Sequence, residues 1–275
     1  MIKILCDSIT DLPIEIIKKH NIDIVPLTVI FNEKEYLDRV DITTNEFYKM
    51  LRENDTMPKT SQATYAQFVK FFEKYKDDEI LYLAGSSAAS GTYQSAVLAK
   101  GDVDANITIF DTFNLSIGAG PLVIKACEMV EKGLSVDEIV KNLENLKNDI
   151  EVIFSVDALE YLKKGGRIGG AAALFGSLLQ IKPILTVEDG KTTVFTKVRT
   201  KKKAIDKIVN TVLEQNSKAP IKDIIVHHIN CESEGEELAN RLKSTLGLDS
   251  IKIQSIGPII GLHVGPGSIG VAYHY

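Results

Sequence analysis

The stretch that decides the fold is EILYLAGSSAASGTYQSAVLAKGDVDANITIF, residues 79–110. Residues 79–83 are a brief apolar run stopped by small and polar residues, which predicts a buried strand. Ser90-Gly91-Thr92 then opens a helix predicted to reach Lys100, and residues 107–110 form a second apolar run ending at Asp111. Strand, helix and strand at this spacing form the unit of a parallel sheet with a crossover helix.

The same alternation extends in both directions. Residues 3–6 read as a strand stopped by Asp7-Ser8, and residues 12–20 as a helix with Thr10 or Asp11 as N-cap and Pro13 in its first turn. Residues 23–31 are strand-like, with Pro26 marking an edge or a bulge. Helices are predicted at 44–53, 65–76, 118–132 and 136–149. This half is therefore expected to be a Rossmann-like parallel sheet with helices on both faces. After residue 150 the texture changes. Residues 151–156 read as a strand. A glycine-rich basic turn, Lys163-Lys-Gly-Gly-Arg-Ile-Gly-Gly170, precedes an apolar helix at 171–179. Asp189-Gly190 between two short apolar runs signals a hairpin. A helix at 201–214, a strand at 222–229, a helix at 234–246 and a strand at 250–255 follow. The expected organisation is two α/β domains, 1–155 and 156–275, the second mixed, with the ligand between them.

Composition narrows the function. The chain has 275 residues, 44% apolar and 25% charged, with a net charge of −5. These values suit a globular protein with a sizeable core and argue against a nucleic-acid partner held by phosphate contacts. Cys6, Cys127 and Cys231 form no CxxC pair, so neither a disulfide framework nor a cysteine zinc site fits. Reduced thiols and an N-terminus without a signal-peptide apolar region lead to the expectation of a cytoplasmic protein. No apolar run approaches the length of a transmembrane helix.

Four polar or glycine-rich segments follow strands, where open α/β sheets place their ligands. They are Asp7-Ser8, Thr60-Ser61-Gln62, the loop from Gly85 to Ser95, and His263-Val-Gly-Pro-Gly267. Ser90, Gly91 and Thr92 at a helix start can offer hydroxyls and backbone N–H groups to one anion. Alternatively, Ser90 is only an N-cap. His263, flanked by glycines, is either a ligand contact or a structural histidine. Gly265-Pro-Gly-Ser-Ile-Gly270 matches GxGxxG by letter alone, with too little chain after it for a helix. His227 and His228 would point to opposite faces of a strand, which makes them a weak metal pair. Arg199 with Lys201, Lys202 and Lys203 is either a solvated face or a docking patch.

Taken together, these segments resemble the DegV family along the whole chain. The matching pieces run in order from Asp7-Ser8 with Asp11-Leu12, through Pro26-Leu27, Tyr36-Leu-Asp38, Thr60-Ser-Gln62 and Ser90-Gly-Thr-Tyr-Gln-Ser-Ala96. They continue through Leu159 with Tyr161-Leu162, Gly165-Gly-Arg-Ile168 and Lys182-Pro-Ile184, to Gly261, His263 and Gly265-Pro-Gly267. The resemblance implies a two-domain protein that binds one long-chain fatty acid. It implies service as the acyl-binding subunit of a fatty acid kinase, whose separate ATP-binding subunit phosphorylates the carboxylate for phospholipid synthesis. Thr60, Ser61, Ser90, Gly91, Thr92 and His263 would then hold the carboxylate. Arg167 and Arg199 would serve the head group or the kinase. No cofactor, metal, catalytic residue or transmembrane segment is implied, and the one membrane role left open is transient surface contact. Many members have Ser-Ser-x-Leu-Ser-Gly-Thr where this chain has Ser86-Ser-Ala-Ala-Ser90. The missing leucine leaves room near the head group and the acyl preference open.

Tunnel-wall candidates are Phe110, Leu122, Leu174, Phe175, Leu178 and Leu179, all equally readable as plain core. Two rival functions are a passive fatty-acid carrier or lipid sensor without a kinase, and a serine hydrolase using Ser90 with His263. The second lacks a GxSxG elbow.

Overall fold

The computed structural model describes residues 1–54, 56–174 and 181–275. Its elements fall into two units, Met1–Asn148 and Asp149–Tyr275.

In the first unit the strands are β1 (Ile2–Asp7), β2 (Asp23–Val25), β3 (Thr28–Phe31), β4 (Lys34–Leu37), β5 (Lys59–Ser61), β6 (Glu79–Ala84) and β7 (Asn106–Asp111). The helices are α1 (Ile14–Lys19), α2 (Thr44–Glu53), α3 (Tyr65–Lys74), α4 (Thr92–Asp102), α5 (Gly120–Glu131) and α6 (Val136–Leu146). The main sheet is parallel throughout, in the order β2-β1-β6-β7. Its central strands are near-continuous apolar runs because they are covered on both faces; Ile80 to Ala84 are all buried.

The single strand expected at 23–31 is two strands in two sheets. At Pro26 the chain leaves the parallel sheet and enters a small antiparallel one, β4-β3-β5. Proline has no N–H to continue a ladder, and the exit is pinned by Gln67 Nε2 donating to Pro26 O at 2.9 Å and Leu27 N donating to Ser8 Oγ at 3.1 Å. The helix expected at 12–20 is also shorter. A 3-10 turn, Ser8–Thr10, comes first, with Asp7 as its cap, and α1 begins only after Pro13.

Asp11 is not the N-cap of α1, which is Pro13; it closes the 3-10 turn, and its side chain has other partners. Asp11, Arg39 and Ser116 all have left-handed backbones, at φ 51°, 65° and 50°. Such conformations are costly for non-glycine residues and persist only when the surroundings over-determine them. Here one network does so. Arg39 Nη2 donates to Asp11 Oδ1 at 3.1 Å, Arg39 Nη1 donates to Leu12 O, and Ser116 Oγ donates to Asp11 Oδ2 at 2.7 Å. Beside it lies Asp38, 1% exposed, with neither carboxylate oxygen hydrogen-bonded.

The second unit contains β8 (Ile150–Ser155), α7 (Glu160–Lys164), β9 (Lys182–Glu188), β10 (Lys191–Val198), α8 (Lys201–Lys218), β11 (Asp223–His228), α9 (Glu232–Leu246), β12 (Lys252–Ser255), α10 (Pro258–Val264) and β13 (Ile269–His274). They form one mixed sheet, β10-β9-β8-β13-β11-β12, in which only β11 and β12 are parallel. The segment 150–155 was expected to close the first domain. As β8 it pairs with β9 and β13, so it belongs to the second unit. The Asp189-Gly190 hairpin has positive φ at both residues, 47° and 72°, as a type I′ turn requires. Helices α8 and α9 cover one face of this sheet, with Ile208, Val212, Leu238 and Leu242 packed on Ile153 and Val226. The apolar helix expected at 171–179 opens as a 3-10 turn, Gly169–Leu174; its remainder, with Phe175, Leu178 and Leu179, lies outside the described residues.

Burial pushes the Asp38 carboxyl up to about 7, Asp11 nearby adds to the rise, and the Arg39 guanidinium opposes it. The folded state therefore holds a proton that the unfolded chain loses near pH 4. Stability contributed by this proton is present below that pH and is lost as pH rises to about 7, at up to ~1.4 kcal/mol per unit. Asp38→Asn cannot titrate. Thermal unfolding across pH 5–8 should show the variant gaining on the wild type as pH rises, whereas parallel curves would contradict the assignment.

Candidate functional site

The order β2-β1-β6-β7 reverses at β1. The chain steps to β2 on one side and later to β6 on the other, so the loops leaving β1 and β6 diverge. Asp7, the last residue of β1, braces this point from below. Its buried Oδ2 accepts from Tyr82 Oη at 2.6 Å and from Gly85 N at 3.0 Å, and its Oδ1 accepts from Ile9 N at 3.0 Å. Burial lifts its pKa to about 6 against these three bonds.

Above this brace the loop turns tightly. Ser86 O accepts from Ser90 N at 3.1 Å, Ser86 Oγ from Ala88 N at 3.2 Å, and Asp111 Oδ1 from Ser87 N at 3.3 Å. Ser90 is left half-buried at the mouth of α4. It is not the N-cap; Gly91 is, and it is closely approached by the Gln62 side chain. A Cβ there would lie 2.1 Å from Gln62 Oε1. That amide donates from Nε2 to Ser95 Oγ at 2.9 Å, and Ala63 N donates to Thr92 Oγ1 at 3.3 Å. These two bonds fasten the end of β5 to the start of α4. Thr60, half-buried, and Ser61, exposed, lie on the strand that Gln62 and Ala63 tie to the start of α4, where Ser90 and Gly91 lie.

Thr92 differs from expectation. It is 1% exposed, and its hydroxyl is engaged with Ala63 N and, at 2.9 Å, with Ser90 Oγ. It supports the hydroxyl cluster from behind. Gln62 and Asp7 belonged to segments singled out in the sequence. Their roles as fasteners depend on partners 33 and 78 residues away, which no local pattern encodes. Of the wall candidates, Phe110 and Leu122 are buried in the first unit and Leu174 is half-buried in the second.

In the second unit His263 lies on α10, which packs against α7. The loop after α7 passes so close that a Cβ on Gly165 would sit 2.1 Å from His263 Nδ1. Arg167, exposed, donates from Nη1 to Gly165 O at 2.8 Å. Burial, with the Arg167 charge assisting, lowers the His263 pKa to about 4. The imidazole is therefore neutral at neutral pH and too weak a base to activate a serine hydroxyl. The GxGxxG segment runs into β13, with Gly265 packed against the Tyr161 ring and Gly267 against Asp157. His227 and His228 lie on opposite faces of β11, His227 toward Phe154 and His228 against Gly235. Among the described residues no group of three or more His, Cys, Asp or Glu could hold a metal, and no helix is long and apolar enough to cross a membrane. The basic run is split. Lys201 pairs with Glu234 at 2.6 Å and Asp157 at 3.7 Å, while Arg199, Lys202 and Lys203 are exposed.

A family model described as "Uncharacterised protein, DegV family" matches residues 1–275. The chain belongs to the DegV family. It is 42% identical to a DegV domain-containing protein of Clostridium acetobutylicum, over 99% of this chain and 97% of that one. It is 38% identical to a fatty acid-binding protein of Thermotoga maritima, over 98% and 96%. A stearic acid-binding protein of Eubacterium ventriosum has the same fold, with TM-score 0.91 and 31% identity over 100% of this chain and 98% of that one. DegV family proteins bind fatty acids, and their structures, like this one, have two α/β domains.

The two crowded glycines should behave differently. In Gly91→Ala the new methyl meets the tip of the flexible Gln62 side chain, which can swing away. In Gly165→Ala it meets a buried imidazole, and overpacking of this kind costs about 1–3 kcal/mol. Denaturant unfolding should therefore show a clear loss for Gly165→Ala and a small one for Gly91→Ala; equal losses would contradict this packing.

Proposed function

We propose that this DegV protein binds one long-chain fatty acid and presents its carboxylate to a separate ATP-dependent kinase subunit, in the cytoplasm, for acyl phosphate formation. The observation that carries the reading is the tie between the end of β5, the strand of Thr60 and Ser61, and the start of α4 at the sheet's switch point, where Ser90 and Gly91 lie, in a family whose members bind fatty acids. In this reading those groups hold the carboxylate, and the resemblance adds His263 to the same set. Burying a C16 tail is worth on the order of 10 kcal/mol at ~0.8 kcal/mol per methylene, much of it offset by lost freedom. The tail thus supplies the affinity and the hydroxyls fix the head group.

A carboxylate that accepts several hydrogen bonds stays ionised and nucleophilic. One of its oxygens attacks the γ-phosphorus of ATP, the bond to the β-phosphate oxygen breaks, and acyl phosphate and ADP result. The kinase subunit brings ATP and its metal; the binding protein supplies position. Arg167 and Arg199, both exposed, are the cations proposed to meet the head group or the docked kinase, and transient contact with a membrane surface would deliver the lipid.

The test uses palmitate binding and kinase-coupled acyl phosphate formation side by side. Each of Ser90→Ala and Thr60→Ala removes a hydrogen bond to a charged group, worth about 1.5–3 kcal/mol. The double variant should still bind palmitate, more weakly, and lose acyl phosphate formation; undiminished turnover would overturn the carboxylate site. Arg167→Ala and Arg199→Ala should keep the wild-type melting temperature and lower turnover, with a shallower further fall as salt rises than the wild type shows. Wild-type turnover by both across a salt series would remove the arginines from the account. Binding of palmitate with no turnover by any kinase subunit would leave a carrier.

A further inference from the structure

The hydroxyl of Ser90 sits in a one-way hydrogen-bond chain. Ala63 is fully buried, and its backbone N–H, which can only donate, reaches Thr92 Oγ1 at 3.3 Å. A threonine hydroxyl has one proton and two lone pairs. With one lone pair committed to Ala63, the buried Thr92 hydroxyl must still place its proton. Ser90 Oγ, at 2.9 Å, is the acceptor within reach among the described residues. Ser90 Oγ also accepts from Thr92 N at 3.3 Å. Were the Ser90–Thr92 bond reversed, Thr92 Oγ1 would receive two donors and its own proton would be buried without an acceptor, which is the costlier arrangement.

We infer that Thr92 is a positioning residue that makes Ser90 an obligate donor. Proton direction runs from Ala63 N–H to Thr92 Oγ1, from Thr92 O–H to Ser90 Oγ, and from Ser90 O–H outward. Both lone pairs of Ser90 Oγ are filled from behind, so this hydroxyl can give a hydrogen bond to a ligand and cannot take one. Successive bonds in such a chain polarise one another. The consequence is specificity for head groups that only accept. An ionised carboxylate satisfies the chain with either oxygen, whereas a primary amide does so only with its carbonyl oxygen toward Ser90, and with its N–H there faces donor against donor. A hydroxyl that could rotate freely would not discriminate in this way. The inference rests on the reading of Ser90 as a carboxylate contact, and it adds what that contact selects.

The probes are palmitate and hexadecanamide, which share chain length and head-group shape, titrated against the full-length protein at neutral pH. The wild type should bind palmitate at least 100-fold more tightly than the amide. Thr92→Val keeps the shape and removes the proton relay, freeing a Ser90 lone pair for the amide N–H; the preference should fall at least tenfold. Thr92→Ser restores the hydroxyl and should restore the preference. In a Ser90→Ala background Thr92→Val should change the preference no further, because Thr92 acts through Ser90. A Thr92→Val protein that weakens both ligands equally, with the preference intact, would show a merely structural role and overturn the inference. If Thr92→Val does not fold, Thr92→Ala, which has no donor at this position, carries the test: an unchanged preference overturns the inference and a reduced one supports it. Failure of the wild type to bind palmitate would overturn the carboxylate reading itself, a result distinct from binding without discrimination.

Discussion

The first unit depends on one buried carboxylate. Asp7 ends β1, and its Oδ2 is shared between the Tyr82 hydroxyl and the Gly85 amide at the end of β6. A sheet whose strand order reverses must open there, because the two exit loops go separate ways. Asp7 closes the floor of that opening and sets where the Gly85 loop begins. The Ser86 turn and the start of α4 follow from it. A carboxylate is suited to this task, since it accepts several donors at once and donates to none when ionised. An asparagine in its place would turn an N–H toward a donor.

Above Asp7 the same economy of proton direction recurs. The fasteners that bring β5 to α4 are short polar contacts, Gln62 to Ser95 and Ala63 to Thr92, and they join the segments that carry the hydroxyls of Ser90, Thr60 and Ser61. Such a cluster cannot generate large affinity in water, because each bond replaces a bond to solvent. It can fix the place and charge state of a head group whose affinity comes from an apolar tail. That division of labour fits a family whose members bind fatty acids.

Much of the fold was legible because its signals are local. The strand–helix–strand pattern of residues 79–110 yields β6, α4 and β7, the helix at 44–53 has the expected limits, and Asp189-Gly190 is a hairpin turn. What escaped was decided by distant partners. β5 is three residues long and exists because it pairs with β3. β13, for which the sequence predicts no element, is an inner strand between β8 and β11. β8 falls in the second unit because its partner β13 lies more than a hundred residues further along the chain, a pairing that no local pattern encodes. Residue types in the polar and glycine-rich segments singled out Ser90, Thr60 and His263 as candidates. The inward-facing role of Thr92 and the crowding of Gly165 against His263 needed coordinates, since neither burial nor proton direction is written in a motif.

The central claim is that this chain carries one fatty acid, and native mass spectrometry of the purified full-length protein tests it most directly. The account predicts a main species heavier than the bare chain by the mass of a single long-chain fatty acid, which dissociates under harsher activation and is recovered by organic extraction at about one acyl chain per protein. A spectrum showing only the bare chain, unchanged after incubation with palmitate or oleate, would contradict it.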